Sequence, residues 1–230
     1  MALMLLCWML FEKNKAATTL GSVYEAVRQA CQAAGREPIP ILAVSKNQSV
    51  ERILPLLDVG HRWFGENRVQ EAMNKWSSLC LQYPDLQLHL IGPLQTNKVK
   101  QALKLFDVIE SVDRPQLVLA LAKEWIKGDE KTCKILIQVN TGREPQKSGV
   151  LSENLTTLVD LCRMHALPLT GLMCIPPAHE DPTHHFQLLA GLAHTHNLSD
   201  LSMGMSSDYP IAIAHGASWI RLGTAFWPSS

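Results

Sequence analysis

The stretch ILAVSKNQS, residues 41–49, indicates the fold class of this 230-residue chain. Four of its first five residues are apolar, as expected of a buried strand, and the run then meets Lys46. An open doubly wound sheet usually carries a Gly-rich turn directly after its first strand. Here the turn reads SKNQS and has no glycine, which disfavours that fold.

Outward from this stretch, short β-rich runs alternate with helical patterns. A helix is predicted over 17–34, before the first strand. The predicted strands are 41–46, 61–67, 88–94, 107–113, 134–140, 169–176, 200–206 and 219–226. The helical stretches between them are 49–58, 67–79, 97–104, 114–126, 152–163, 182–195 and 207–216.

This alternation predicts βαβ units and a parallel sheet. Eight units favour an α/β fold consisting of a single closed (β/α)8 barrel of the TIM type, with an extra N-terminal helix. We assign the barrel to 17–230 and treat 1–16 as an extension of unknown role. The apolar start MALMLLCWMLF meets charge at Glu12, short of the ~20 apolar residues that a membrane span needs. No positive charge precedes it, so neither a membrane span nor a secretory signal is expected.

Composition excludes several classes of function. The 21 basic residues balance the 21 acidic ones, which predicts no bulk attraction to nucleic acid or to an anionic membrane. The six cysteines form no C-x-x-C pair, which favours a reducing, cytoplasmic compartment. The histidine pairs 184–185 and 194/196 lack partners at ligand spacing, so we interpret them as solvated helix residues and expect no metal site.

Active residues of a barrel gather at the carboxyl ends of its strands. After strand seven, Ser206 and Ser207 precede Asp208, and strand eight carries Gly223 and Thr224. Barrels frequently bind phosphate with the loops after these two strands, using hydroxyls and backbone N–H groups. The alternative is that Ser207 and Asp208 only cap a helix.

Lys46 has three possible roles at the end of strand one. It can extend its amine to solvent, pair with a buried carboxylate, or form a Schiff base. A Schiff-base lysine opposite a phosphate site would suit pyridoxal 5′-phosphate. Arg221 lies two residues before Gly223 and so shares its face of the strand. Pyridoxal enzymes place Asp or Arg beside the pyridine nitrogen, but Arg221 could equally be a salt-bridged barrel arginine.

These motifs resemble the pyridoxal phosphate homeostasis proteins, single-domain relatives of the alanine racemase barrel. The resemblance covers about 41–226, with one motif at most strands. The matching stretches are ILAVSK (41–46), FGENRVQEAMNK (64–75), LHLIGPLQTNK (88–98), ILIQVNTGREPQKSG (135–149), GLMCIPP (171–177), LSMGMSSD (201–208) and IRLGTAF (220–226).

The resemblance implies a fold-type III barrel that carries pyridoxal 5′-phosphate as an aldimine on Lys46. It also implies further cofactor contacts. Lys147 is interpreted as a solvated surface lysine. One departure is the ending FWPSS, where relatives usually continue Phe-Gly-x-Arg. The implied contacts are Ser206, Gly223 and Thr224 to the phosphate, Arg221 near the pyridine nitrogen, Asn67 lining the pocket and Met203 at its rim.

Alanine racemase uses a second base, a tyrosine from a further domain of its partner subunit. We find no matching context for Tyr24, Tyr83 or Tyr209, so no catalytic residue is assigned. We therefore expect a monomeric cytoplasmic carrier that buffers the cofactor and delivers it to pyridoxal-dependent apoenzymes. Two alternatives stay open: a pyridoxal-dependent amino-acid racemase or decarboxylase, and a cofactor-free Schiff-base barrel of the aldolase type.

Overall fold

The structure, a computed structural model, describes residues 2–128 and 132–227, with side chains from residue 14 onward. Every strand predicted from the sequence is present. The strands are β1 Ile41–Val44, β2 Trp63–Glu66, β3 Gln87–Leu90, β4 Val108–Val112, β5 Lys134–Val139, β6 Leu169–Cys174, β7 Asp200–Ser202 and β8 Ile220–Leu222.

Helices follow the strands as predicted, with small shifts at their ends, except that the stretch predicted as one helix over 67–79 forms two short helices. Two short 3₁₀ turns, Thr96–Lys98 and Ser152–Asn154, precede α5 and α7. The helices are α1 Ala2–Ala33, α2 Val50–Asp58, α3 Val69–Trp76, α4 Leu79–Gln82, α5 Val99–Leu105, α6 Pro115–Trp125, α7 Leu155–Met164, α8 Pro182–Thr195 and α9 Tyr209–Ala214.

The sheet is a nearly closed parallel barrel. Its strand order is β7-β6-β5-β4-β3-β2-β1-β8, and the paired strands are parallel throughout. A bridge between Ser202 and Trp219 joins β7 to the start of β8. The predicted (β/α)8 barrel is therefore confirmed.

Each predicted strand runs past the observed carboxyl end of its strand. The reason is physical: the residues just beyond each strand form turns and loops at the barrel mouth. Apolar or β-branched residues occur in these loops as well, so the strand pattern of the sequence continues after the backbone has left the sheet. These overrun residues include most of the predicted site.

The barrel has two apolar layers. The larger cluster lies between the strands and the surrounding helices and includes Phe64, Trp76 and Phe186. A smaller cluster of residues from several strands fills the barrel interior. This interior cluster comprises Val108, Leu136, Met173 and Trp219, with Trp63 packed against it.

Helix α1 is one continuous helix that starts well before residue 17, where the sequence pattern placed its beginning. Val23, Val27 and Cys31 are buried on the barrel side. The Tyr24 hydroxyl lies 3.2 Å from Nδ1 of buried His61, and burial lowers the pKa of His61 to about 4. The helix is thus packed on the barrel, and the domain boundary at residue 17 stays a prediction.

Two further expectations concern helices. Within the two described ranges, no helix is both long enough and apolar enough to cross a membrane. His185 of α8 was interpreted as solvated, which is wrong: it is buried, with Nε2 3.0 Å from the Glu180 carboxylate. The helical pattern misled here because α8 packs closely against β6 and α9.

Candidate functional site

Lys46 lies at the carboxyl end of β1, two residues beyond the last strand residue. Its side chain is exposed, whereas that of the preceding Ser45 is fully buried. The following residue, Asn47, has a φ of 60° in the left-handed region, so the chain turns sharply here. The turn presents the amine to solvent at the barrel mouth.

Helix α3 supports this turn from outside the barrel. The Asn47 N–H donates to the Glu71 carboxylate at 2.6 Å. The Lys75 ammonium donates to the Ser45 carbonyl at 2.8 Å and to Glu71 at 2.8 Å. The residues on both sides of Lys46 are therefore fixed by hydrogen bonds, while its own amine stays exposed.

Glu66, in the G-E-N motif, is the buried centre of this support. Its Oε1 lies 2.7 Å from the Lys75 ammonium, and it accepts hydrogen bonds from the Ser45 hydroxyl at 2.7 Å and the Trp76 indole at 2.9 Å. Sequence reasoning missed this cluster. The signal was present, because Lys75 follows Glu71 by four residues on one helix face.

The pKa of Glu71 shows how strongly the cluster favours charge. Burial alone would raise the pKa of this carboxyl. The hydrogen bonds from Lys75 and from the Asn47 N–H outweigh burial and hold the pKa below its usual value. Glu71 therefore stays ionised beside the Lys46 turn at neutral pH.

Asn67 follows β2 directly and is half-buried. Its backbone is packed against Gly92, where an added Cβ would lie 2.3 Å from the Asn67 carbonyl oxygen. Only glycine permits this approach, so the loops after β2 and β3 are locked together. Asn67 is thereby held near the lysine turn.

On the other side of β1, two hydroxyls face each other. Ser206 Oγ and Thr224 Oγ1 are 3.5 Å apart, and both side chains are exposed. At Gly223 the nearest atom to an added Cβ would be the Cβ of Val44, at 3.8 Å. Since β8 pairs with β1, these hydroxyls and Lys46 stand at neighbouring strand ends.

The β7–α9 loop differs from its prediction in two respects. Met203 is fully buried in the core between strands and helices, and not at an exposed rim. Asp208 is the N-cap residue of α9 by position, but its side chain makes no capping bond. Its carboxylate instead accepts from the Met205 N–H at 2.6 Å, which shapes the loop that carries Ser206.

Arg221 is buried beneath these hydroxyls. Its guanidinium donates to the Ser202 hydroxyl at 2.5 Å and to the Cys174 carbonyl at 2.8 Å, and it lies 3.8 Å from Glu110. The salt-bridge alternative is thus observed. A guanidinium has five N–H donors, so donors remain for a ligand as well.

Glu110 is the shared partner of a polar network inside the barrel. It accepts from the Ser202 hydroxyl at 2.5 Å and the Trp219 indole at 2.9 Å, and its Oε1 lies 2.6 Å from His89 Nδ1. These partners come from β3, β7 and the start of β8, so the contacts cross the interior. Burial alone would raise the pKa of Glu110, but His89, Arg221 and Ser202 together hold it below its usual value.

Sequence reasoning also missed this interior network. The signal was a charged or polar residue inside an apolar strand, His89 in LHLI and Glu110 in VIESV. Both side chains are fully buried. Buried charges require partners, so each residue should have been paired with another.

Trp227, the last residue that the structure describes, contacts the end of β1. The Trp227 indole donates to the Val44 carbonyl at 2.7 Å, at the last residue of β1. The Arg52 guanidinium lies over the indole, 5.9 Å from the ring centroid. Trp227 therefore covers the strand end that leads to Lys46.

The sequence suggested that Lys147 is a solvated surface lysine, but its ammonium has partners within the protein. Its ammonium pairs with Glu144 at 2.5 Å and donates to the Pro176 carbonyl at 3.4 Å. In the same loop, the Asn140 side-chain amide donates to the Glu144 carbonyl and accepts from the Glu144 N–H. Lys147 thus ties the loop after β5 to the loop after β6.

Two kinds of chemistry are not supported by the geometry. Within 2–128 and 132–227, no three His, Cys, Asp or Glu side chains are grouped to hold a metal ion. Burial raises the pKa of the Cys174 thiol to about 12, so this thiol stays protonated next to Arg221. The Lys46 amine, by contrast, is an exposed reactive group at the mouth.

Comparisons with known proteins agree with this architecture. Residues 19–229 match the family model described as alanine racemase, N-terminal domain. A curated relative from Vibrio alginolyticus, named pyridoxal phosphate homeostasis protein, is 39% identical over 85% of this chain and 89% of its own length. The protein of that name from Escherichia coli (strain K12) is 34% identical over 93% of this chain and 96% of its own length.

Solved structures give the same picture. PipY of Synechococcus elongatus PCC7942 without PLP is 33% identical, with a TM-score of 0.80 over 92% of this chain and 99% of that chain. The same protein with PLP bound has a TM-score of 0.75. An alanine racemase from Clostridium difficile 630 shares the fold at 13% identity, with a TM-score of 0.68 over 90% of this chain and 57% of that chain.

Proposed function

Because the chain belongs to the family of pyridoxal phosphate homeostasis proteins and matches the family model of the alanine racemase N-terminal domain, we propose that it binds and buffers pyridoxal 5′-phosphate. The observation that carries the proposal is the placement of an exposed lysine amine beside a pair of hydroxyls. Lys46 follows β1, and Ser206 and Thr224 follow the two strands that come next around the barrel, β7 and β8.

The residues present fit this cofactor. Ser206 and Thr224 offer hydroxyl donors, and Gly223 leaves room for close backbone approach. Arg221 supplies a permanent positive charge that is held in place by Ser202 and Cys174. When bound, the cofactor supplies an aldehyde that an amine can capture and a phosphate that these donors can hold.

Each residue would then have a distinct task. Lys46 would hold the cofactor covalently, on a turn whose flanking residues are fixed by Glu71 and Lys75. Ser206, Thr224 and the Gly223 backbone would bind the phosphate. Arg221 would face the pyridine nitrogen and can only donate to it, which keeps that nitrogen unprotonated. Asn67 would line the pocket, whereas Met203 would support the loop of Ser206 from the core.

We infer a carrier role and not an enzymatic one. Proton transfer on both faces of a substrate needs a second acid–base group besides the lysine. Of the tyrosines, Tyr24 is bonded to His61 and Tyr83 lies 3.4 Å from the Asp58 carboxylate. Tyr209 begins α9 and is half-buried, and we assign it no catalytic role.

Further proposals concern partners and place. We infer that pyridoxal-dependent apoenzymes receive the cofactor, and that the protein acts as a cytoplasmic monomer. In support, the five cysteines whose side chains are described, Cys31, Cys80, Cys133, Cys162 and Cys174, are all free. Free thiols suit a reducing compartment. Size-exclusion chromatography with light scattering would test the monomer.

The covalent role is tested by borohydride reduction of protein incubated with pyridoxal 5′-phosphate. We expect a visible absorbance before reduction and, after it, a mass increase that peptide mapping places on Lys46. Lys46→Ala should lose both signals, while Lys104→Ala, an exposed lysine on α5, should keep them. A colourless wild-type protein, or labelling that survives in Lys46→Ala, would refute the proposal.

The carrier role is tested separately, with a panel of amino acids. The cofactor-loaded protein should neither racemise nor decarboxylate them, and it should restore activity to a pyridoxal-dependent apoenzyme. Sustained turnover that disappears in Lys46→Ala would show an enzyme. Borohydride trapping of a keto substrate by protein that takes up no cofactor would favour the aldolase-type alternative.

A further inference from the structure

A second concave site lies next to the Lys46 turn, on the side away from β8. It is a cavity of about 500 Å³ between the segments that follow β2 and β3. This volume is within the range of small-ligand sites. Its lining consists of Asn67, Arg68, Val69, Gln70, Pro93, Gln95 and Lys98.

The charged side chains that line this cavity have one sign. Arg68 and Lys98 are cationic, and the lining includes no carboxylate. Within the described part of the chain, neither cation forms an ion pair within 4 Å. Arg68 acts on Glu71 only through longer-range charge, lowering the pKa of that carboxyl as a minor contribution. Two unpaired cations at one cavity favour an anionic ligand.

The backbone at the cavity adds to this preference. Arg68 is the N-cap residue of the eight-residue helix α3, and its side chain makes no capping bond. The first residues of that helix, Val69 and Gln70, line the cavity. Their N–H groups have no acceptor within the helix, and the helix dipole favours negative charge there.

The walls of the cavity are held in fixed positions. Gly92 packs against the Asn67 backbone, and the Ile91 N–H donates to the Glu66 carbonyl at 2.9 Å. Arg114 donates to the Leu94 carbonyl at 2.8 Å from the far side. A fixed wall loses little freedom when a ligand binds.

We propose that this cavity is a second, non-covalent binding site for phosphate monoesters. Arg68, Lys98 and the α3 N–H groups would hold the dianion, and the amides of Gln70 and Gln95 would bond polar groups of the ester. Around the barrel the order is β7, β8, β1, β2, β3, so Lys46 stands between two phosphate sites. An incoming cofactor could dock here while another occupies the β7–β8 loops, a role that rests on the proposed function.

The test uses protein in which pyridoxal 5′-phosphate has been fixed to Lys46 by borohydride, so that the β7–β8 site is filled. The probe is pyridoxine 5′-phosphate, a phosphate monoester without an aldehyde, followed by titration calorimetry. We expect one further equivalent to bind, with inorganic phosphate competing and acetate failing to compete. Binding of no further equivalent, or equal competition by acetate, would overturn the proposal.

Matched double variants locate the site. R68Q/K98Q should weaken this binding about tenfold or more, since it removes two charged donors. K100Q/K104Q removes the same charge from exposed positions of α5 and should leave the binding unchanged. Unweakened binding in R68Q/K98Q would refute the assignment. If borohydride fixes nothing on Lys46, the proposed function fails, while titration of the unmodified variants still decides this second site.

Discussion

The two sides of the barrel mouth are stabilised in different places. On the lysine side, formed by the loops after β1 and β2, the polar support lies outside the barrel, between Glu66 and Lys75 of α3. On the phosphate side, formed by the loops after β7 and β8, it lies inside the barrel, between Arg221 and Glu110. If Lys46 and Arg221 hold the cofactor as proposed, its attachment and the orientation of its ring would depend on separate buried clusters.

The largest effect should come from breaking the lysine side with Lys75→Met. Glu66 is fully buried, and the substitution removes its only cationic partner among the described residues. We expect unfolding free energy to fall by about 3–5 kcal/mol, as when one member of a buried ion pair is lost. Urea denaturation would measure it, with Lys104→Met as the control, expected within about 0.5 kcal/mol of wild type.

Folded Lys75→Met protein should also release bound cofactor at a different rate from wild type. Lys75 bonds the carbonyl of Ser45, which directly precedes Lys46. Bound cofactor should therefore transfer to an apoenzyme faster than from wild type. Equal transfer rates would show that the turn does not need this support.

The next effect should come from the phosphate side, with Glu110→Gln. The amide keeps some hydrogen bonds but leaves the Arg221 charge buried without its counterion, so we expect a loss of about 2–3 kcal/mol at pH 7. Denaturation at neutral and acid pH would measure it. Glu124→Gln, which removes a pair with Lys127 at the surface, should leave unfolding unchanged.

The pH dependence of the free energy of unfolding follows from the lowered pKa of Glu110. A carboxyl whose folded pKa lies below its unfolded value contributes stability above about pH 4.5, the ordinary value, and loses it as pH falls through the folded pKa. The difference between wild type and Glu110→Gln should therefore narrow below about pH 4.5. A difference that is constant with pH would argue against an ionised Glu110.

A smaller effect is expected for Gly92→Ala on the lysine side. The new Cβ would lie 2.3 Å from the Asn67 carbonyl oxygen, so backbone must move, at a cost of about 1–3 kcal/mol. Gly21→Ala is the matched control, because nothing lies within 4 Å of its added Cβ in α1. That control should be neutral or slightly stabilising in a thermal melt. A neutral Gly92→Ala would mean that the two loops are not locked.

The smallest effect on stability is expected for Ser206→Ala with Thr224→Ala. Both side chains are exposed, so unfolding should stay within about 0.5 kcal/mol of wild type. Cofactor affinity should nevertheless fall, by about 1.5–3 kcal/mol per lost hydrogen bond to the phosphate. Equilibrium dialysis would measure it, with Thr157→Ala as the control. Unchanged affinity would remove these hydroxyls from the site.

The sequence predicted the barrel because strand and helix patterns alternate regularly, and it predicted the mouth because unusual residues fall at strand ends. It could not show that Met203 is buried or that His185 is packed, since both depend on how neighbouring elements close over them. Glu66 and Glu110 were missed for a related reason. Their partners come from other elements, so a strand pattern shows that a buried charge needs a partner but not which residue supplies it.

Trp227 has a consequence for measurement. Its indole is bonded to the Val44 carbonyl, two residues before Lys46, so a chromophore on that lysine would lie close to a natural fluorophore. Excitation energy would pass from the indole to the bound vitamin derivative, and emission would dim on loading and recover on release. The chain could thus report its own occupancy without a label, and Trp227→Phe would show how much of the response comes from this one of the six tryptophans.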